Sequence, residues 1–204
     1  NHSTKKFNFH EKKPNSLAIN FKEDKSNIFI KNLEIASHVV NDIFNDRNFP
    51  DLNGDLLINC LESFKMPPGR GEILSLNKFK IIDDSYNANP ESVKAALDHL
   101  SGFQECRKFF VFGDMKELGA NEEILHKKVG QYAVGKTDIL LTVGKLAKNA
   151  QSNSNNFALS LHFNDNFSLL EKLNELLTDG DIVLIKGSRS MQLDQLINEL
   201  KNVK

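Results

Sequence analysis

An α/β fold built on a mostly parallel sheet is what this sequence predicts, and three observations carry that prediction. From residue 78 onward, short apolar runs alternate with amphipathic stretches of helical period. The apolar runs are four to six residues long and nearly free of polar residues, as expected of strands covered on both faces. Each amphipathic stretch is long enough to cross back over a sheet, which parallel neighbours require.

The elements follow in order. Residues 1 to about 27 are polar and irregular, although Leu17, Ile19 and Phe21 alternate and suggest a strand. Residues 28–45 and 53–64 carry apolar residues at helical intervals, and MPPGRGE then breaks the pattern with two prolines and two glycines. KFKIIDDSYNANP is a strand running into a polar turn. PESVKAALDHLSG is a helix, with Asn89 as N-cap, Pro90 in the first turn and Gly102 beyond the end. KFFVFGD is a strand and residues 121–135 a helix. DILLTVGK is a strand followed by a short helix from about 145. ALSLHF is a further strand and residues 165–180 a helix. DIVLIKGSRS is the last strand and MQLDQLINELKN the last helix.

One stretch invites a different reading. GQYAVGKT, residues 130–137, satisfies the pattern of a phosphate-binding loop. Such a loop must follow a strand and open a helix, so that backbone N–H groups ring the phosphates. Here a helix precedes and a strand follows. Gly135 therefore reads as the residue that ends the helix, and Lys136 as a cation at its negative end.

Composition narrows the function classes. The 204 residues suit one domain or two small ones, with 40% hydrophobic and 26% charged residues. A net charge of −1 gives no reason to expect nucleic acid or an anionic membrane as partner. No apolar run approaches a membrane span, and two cysteines, Cys60 and Cys106, fit a reducing, cytoplasmic setting. The chain opens on Asn1 without a methionine, which suggests a piece of a longer protein.

The strand ends gather the chemistry. KIID runs into Asp84-Ser85-Tyr86-Asn87, FFVF into Gly113-Asp114, ILLTV into Gly144-Lys145 and IVLI into Lys186-Gly187-Ser188-Arg189. In an open parallel sheet the carboxyl ends share one edge, where ligands bind, so four polar tips predict a crevice for a charged ligand. Asp84 suits a ribose diol or a turn. Tyr86 and Asn89 could face a nucleotide, while Asn87 and Asn89 equally suit the turn before the helix. Arg70, after Pro-Pro-Gly, suits phosphates or simply a surface loop. KGSR offers an ammonium, a hydroxyl and a guanidinium for a carboxylate or phosphate, or a helix entry with Ser190 as cap. Asp114 and Glu117 could suggest Mg²⁺, but a helix start favours acids in any case. His126 lies on the 121–135 helix, with a structural role as open as a functional one. His2 and His10 show no metal-ligand spacing, and no Cys–His cluster, nucleophile elbow or HExxH motif is present.

DDSYNANP (83–90), GDMKELG (113–119), HKKVG (126–130), VGK (143–145) and KGSR (186–189), in this order and spacing, resemble the Mur ligase family over about residues 28–204. The motifs resemble those members of the family that join D-alanyl-D-alanine to UDP-N-acetylmuramoyl-tripeptide. The resemblance implies a Rossmann-like C-terminal domain over 79–204, preceded over 1–78 by the tail of the central ATP-binding domain. It implies ATP and Mg²⁺ as cofactors, the tripeptide nucleotide and D-alanyl-D-alanine as partners, and a monomeric full-length protein. Carried over by position, Asn32 would lie near adenine, Arg70 near the nucleotide phosphates and Asp84 on the ribose, with Tyr86 beside the nucleotide. Lys186, Ser188 and Arg189 would form the dipeptide side, with Asn87, Asn89 and Asp114 as further substrate-binding candidates. Ile28 and Phe29 stand where the family has His-Asn. The family's phosphate loop, magnesium-binding acid and histidine, carbamylated lysine and sugar-binding domain would all precede residue 1, so no catalytic or metal-binding residue is expected here. The chain alone would not ligate. A free-standing nucleotide- or peptide-binding module from a split ligase gene is the alternative.

Overall fold

A computed structural model of the chain describes residues 66–202 without a break, together with 4–7, 17–20, 32, 33, 35, 36, 39, 40, 59, 60 and 63. The chain divides into two compact units, Asn1–Lys65 and Met66–Lys204. In the first unit, β1 (Thr4–Phe7) pairs antiparallel with β2 (Leu17–Asn20), Thr4 opposite Asn20. The described residues between 32 and 40, and at 59, 60 and 63, are helical, as the periodicity predicts. Leu33 is buried, whereas Asn32, Ile35 and Val39 are exposed. Phe21, Ile28 and Phe29 lie outside the described residues.

The second unit is a six-stranded sheet in the order β3-β4-β8-β5-β6-β7. Its strands are β3 (Glu72–Ser75), β4 (Lys80–Asp84), β5 (Lys108–Gly113), β6 (Ile139–Val143), β7 (Leu159–Phe163) and β8 (Ile182–Lys186). All neighbours are parallel except β3, which runs antiparallel to β4. The unit therefore begins at Met66 and takes in β3, a segment that the sequence reading places ahead of the boundary at 78/79. β3 escapes a period-based reading because it is a four-residue edge strand. It reaches β4 through a tight turn, in which Leu76 N–H donates to Phe79 O (3.0 Å), with no helix between.

The alternation of side chains across the sheet builds two cores. On one face Ile82, Phe110, Phe112, Leu140 and Leu184 pack under helices α1 (Pro90–Ser101) and α2 (Glu122–Ala133) and a 3-10 run, Ala147–Asn156. On the other, Ile81, Phe109, Val111, Leu141, Val183 and Ile185 pack under α3 (Asn166–Leu176) and α4 (Leu193–Asn202). Every residue of β6 and β8 is buried, which is why these strands read as apolar runs, broken only by Thr142 and by Lys186 at the end of β8. Burying each of their valine, leucine and isoleucine side chains contributes about 1.5–3 kcal/mol.

Local chemistry fixes the element ends. Asn89 caps α1, its side chain accepting from Ser92 N–H (2.8 Å) while Ser92 Oγ accepts from Asn89 N–H (3.1 Å). Gly135 takes φ +74° just past α2, and Lys136 N–H donates to Ala133 O (3.0 Å), so GQYAVGKT closes a helix and enters a strand. Gly130 lies inside α2, where a Cβ would sit 2.0 Å from Ala150 O, so glycine is required for close packing. The segment after β6 is 3-10 rather than α. Its Asn- and Ser-rich sequence favours local bonds such as Asn149 Nδ2 to Leu146 O (3.0 Å). The last helix begins at Leu193 rather than 191. A 3-10 turn, Arg189–Met191, comes first, and Ser190 lies inside that turn instead of capping the helix.

Candidate functional site

The parallel register brings the polar strand tips to one edge. Asp84, the last residue of β4, lies opposite Lys186, the last of β8, and Lys186 lies opposite Phe112 of β5, two residues before Asp114. Gly113 of β5 lies opposite Val143 of β6, so Gly144-Lys145 continues the same rim.

Lys186 is the centre of this edge. It is 1% exposed, yet its side chain ends in an amine set against a carboxylate. Its Nζ donates to Asp84 Oδ2 (2.6 Å) and to the Asn87 carbonyl (3.0 Å), which accounts for two of its three N–H groups. Asp84 Oδ1 has no hydrogen-bond partner among the described residues, so this carboxylate keeps a lone pair for a hydroxyl donor. Burial pushes the Asp84 carboxyl above its ordinary range, against the opposing pull of the Lys186 ammonium. Beside it, the Arg70 guanidinium lies 4.0 Å over the Tyr86 ring, and Tyr86 N–H donates to Gly69 O (3.0 Å). Gly69 is buried at φ +77°, and a Cβ there would meet Tyr86 N at 3.0 Å, so glycine lets the two strands' ends meet. Arg70 and Tyr86 are both exposed, forming a flat cationic and aromatic surface.

The remaining predicted residues divide by where their polar atoms go. Asp114 is 2% exposed; Oδ1 accepts from Leu146 N–H and Ala147 N–H (2.8 Å each), and Oδ2 meets Lys116 Nζ at 2.9 Å. With both oxygens engaged, and Glu117 exposed beside it, this pair does not fit Mg²⁺, which demands carboxylate oxygens open to the ion. Among the described residues no three His, Cys, Asp or Glu side chains gather where a metal ion could be held. Ser188 Oγ accepts from Lys116 N–H (2.8 Å), and Ser188 N–H donates to Asp114 O (2.9 Å). Asn87 Oδ1 accepts from Ala88 N–H (2.9 Å), and Asn89 Oδ1 belongs to the helix cap. Arg189 is exposed and pairs with Asp194 at 2.9 Å, a surface bond that a ligand can displace. Asn32 lies in the other compact unit, on a helical residue open to solvent.

The structure gives roles to two residues that the sequence leaves open. His126 is fully buried; Nε2 accepts from Met115 N–H (2.8 Å), and Nδ1 lies 2.6 Å from Glu122 O, which fixes the proton on Nδ1. Desolvation lowers its pKa. Gly144, at φ +105°, leaves room for Asp114, whose Oδ1 would sit 2.5 Å from a Cβ there. The only sequence signals for these roles are a histidine on the inner face of a helix and a glycine at a strand end.

Residues 69–189 match the family described as Mur ligase, glutamate ligase domain. The chain belongs to the Mur ligase family. It is 35% identical over 149 residues to the UDP-N-acetylmuramoyl-tripeptide–D-alanyl-D-alanine ligase of Bacillus subtilis, covering 69% of this chain and 32% of that protein. The Escherichia coli ligase of the same name is 34% identical over 145 residues, with 69% and 31% covered. The chain thus spans about a third of the length of the curated relatives it matches. Among solved structures, a MurF from Acinetobacter baumannii superposes with TM-score 0.77 at 24% identity, covering 92% of this chain and 40% of that one. MurF from Thermotoga maritima in complex with ADP gives 0.74 at 22% identity, over 91% and 40%. These likenesses show the fold: the six-stranded unit is the Mur ligase C-terminal domain. Among the described residues no helix is long and apolar enough to cross a membrane.

Proposed function

We propose that this Mur ligase chain is the nucleotide- and dipeptide-holding portion of an ATP-dependent amide ligase. The ligase would add D-alanyl-D-alanine to UDP-N-acetylmuramoyl-tripeptide in cytoplasmic peptidoglycan precursor synthesis, working as a monomer. The observation that carries the reading is the Asp84–Lys186 pair, 2.6 Å apart at the tips of neighbouring strands, with one carboxylate oxygen still available. The identity to ligases of that name supports the substrates.

A carboxylate is a poor electrophile, and ATP converts it to an acyl phosphate. The dipeptide amine then attacks the acyl carbon, and phosphate leaves with the bonding pair. The work left to protein is positioning and charge neutralisation. Asp84 Oδ1 accepts from a ribose hydroxyl, held in place by Lys186. The Arg70 guanidinium, already stacked on Tyr86, faces phosphate. Arg189 exchanges Asp194 for the dipeptide carboxylate, assisted by the third N–H of Lys186. Asn87, Asn89, Asp114 and Ser188 shape the rim from behind. The phosphate loop, the magnesium ligands and the sugar-binding part belong to the remainder of the ligase, so this chain by itself does not ligate.

Isothermal titration of the chain with ATP and with D-alanyl-D-alanine tests the reading. Nucleotide affinity falls about tenfold or more in Asp84→Ala, the scale of one lost charge-assisted hydrogen bond. A chain that takes a nicotinamide dinucleotide and ignores ATP, or an Asp84→Ala variant with unchanged affinity, overturns it.

A further inference from the structure

We infer that His126 is a positioning residue for the Lys186–Arg189 loop, acting through the backbone of residues 114–116. The path is continuous. His126 Nε2 accepts from Met115 N–H at 2.8 Å. The next residue, Lys116, donates its N–H to Ser188 Oγ at 2.8 Å. Ser188 returns a bond to the same segment, its N–H donating to Asp114 O at 2.9 Å. Three consecutive residues after β5 are thus tied to α2 on one side and to the turn after β8 on the other. A segment bonded from both sides cannot shift without moving its neighbours, because buried backbone groups must keep partners.

The ring has no freedom to adapt. It is fully buried, 5.6 Å from the Phe112 ring by centroids, and its second nitrogen is bound to Glu122 O. An acceptor at Nε2 exists only in the neutral ring with its proton on Nδ1. Protonation puts a donor against the Met115 N–H and breaks the first link. The charged groups facing the ring are Asp114 and Glu122, which favour the cation, and Lys116, which opposes it; desolvation outweighs them and keeps the ring neutral. The histidine therefore sets a loop that begins 60 residues further along the chain, at the end of a different strand.

That the loop touches ligand rests on the function proposed above; that His126 sets the loop does not. The test is amide hydrogen exchange and ¹H–¹⁵N spectroscopy on the whole chain without ligand. His126→Phe keeps an aromatic ring and removes the acceptor, while His126→Gln presents an amide oxygen at the reach of Nε2. In His126→Phe the Lys116 and Ser188 amides exchange about tenfold faster while Val111 and Leu184 in the sheet keep their rates, and His126→Gln restores the slow rates. In the unaltered chain the Ser188 amide shift follows the His126 ring as it titrates, and the response disappears in His126→Gln. Unchanged Ser188 exchange in a folded His126→Phe variant overturns the inference. So does an equal loss of protection at Ser188, Val111 and Leu184, which marks a purely global role. If His126→Phe does not fold, a Ser188 shift that ignores the His126 titration overturns it. Failure of ATP to bind the unaltered chain would count against the ligase reading alone.

Discussion

Replacing Lys186 with methionine should be the most damaging single change at the strand edge that leaves the core volume intact. Methionine keeps an apolar stem in a site where the lysine is 1% exposed, so packing is nearly conserved and the charge is the main loss. The ammonium makes two short bonds, 2.6 Å to Asp84 and 3.0 Å to the Asn87 carbonyl. Each bond to a charged group is worth about 1.5–3 kcal/mol. Removing the buried ammonium also removes its own desolvation cost, which offsets part of that loss. What remains is an Asp84 carboxylate without its partner, and breaking a buried pair this way costs about 3–5 kcal/mol. Asp84 keeps about a fifth of its side-chain surface in water, which places the expected cost at the low end, about 3 kcal/mol. For a domain of this size that is roughly a 6–12 °C fall in Tm. The pH dependence has a definite sign. Asp84 already titrates above its ordinary value, and losing Lys186 raises it further. A carboxyl raised in the folded state contributes stability below its unfolded pKa and loses it as pH rises through the folded one. The Lys186→Met penalty therefore shrinks on acidification, as Asp84 takes up a proton. Urea unfolding of the whole chain, followed by circular dichroism at neutral and mildly acidic pH, reads both numbers. The double variant Asp84→Asn/Lys186→Met should recover about 2 kcal/mol of the loss. A penalty under about 1 kcal/mol at neutral pH, or one that grows on acidification, refutes the account of this pair.

Other expectations follow from single contacts. Gly130→Ala drives a methyl into the Ala150 carbonyl and should cost about 2–3 kcal/mol in urea unfolding. Lys136→Ala should leave ATP affinity in calorimetry unchanged, because Lys136 pairs with Asp98 at 2.7 Å beyond a helix end; weakened binding would revive the phosphate-loop reading. His126 has a lowered pKa, so its contribution is present above the unfolded value and is lost as pH falls below about 6.5. Unfolding free energies measured between pH 7.5 and 5.5 should accordingly decline, and less steeply in His126→Gln. Arg107→Ala removes a guanidinium that grips buried Asp181 at 2.9 and 2.7 Å; Thr178 still supplies two donors to that carboxylate, so the expected cost by urea unfolding is about 1–2 kcal/mol.

The parts legible in the sequence are those governed by period and by local chemistry. β5, β6 and β8 announce themselves because both faces are covered, and Asn89-Pro90 announces α1 because a cap is a bond between residues three apart. β3 is not legible in the same way: Glu72–Ser75 gains strand identity only from pairing with β4, and nothing within its four residues demands it. The 3-10 run at 147–156 was readable as a helix but not as a narrow one, since the choice turns on competing side-chain bonds. At the rim, the sequence brings Asp84 and Lys186 to one edge by the rule for parallel strands. It cannot show that Asp114 and Ser188 have partners behind the edge, because, the Lys116 ammonium apart, those partners are backbone groups of residues 116, 146 and 147.

That distinction changes which residues should carry ligand. A side chain whose polar atoms already have good internal partners gives up those bonds before it can touch anything else, and a buried one leaves its partners unsatisfied when it does. Asp114 would strand two N–H groups at the start of the 3-10 run, and Ser188 would strand the Lys116 N–H. Asp84 Oδ1, the third N–H of Lys186, the Arg70 face and the exposed Arg189 face no such cost, or only that of a surface ion pair. The same edge therefore holds two populations that look alike in sequence: an inner set that fixes where the loops sit, and an outer set with unused donors and acceptors. Substitutions in the inner set should move stability and loop order together, whereas substitutions in the outer set should move affinity while leaving unfolding almost untouched. Lys186 belongs to both, being buried among internal partners with one donor still to give. For that reason its variant, unlike those at Arg70 or Arg189, should lose stability and nucleotide affinity at once.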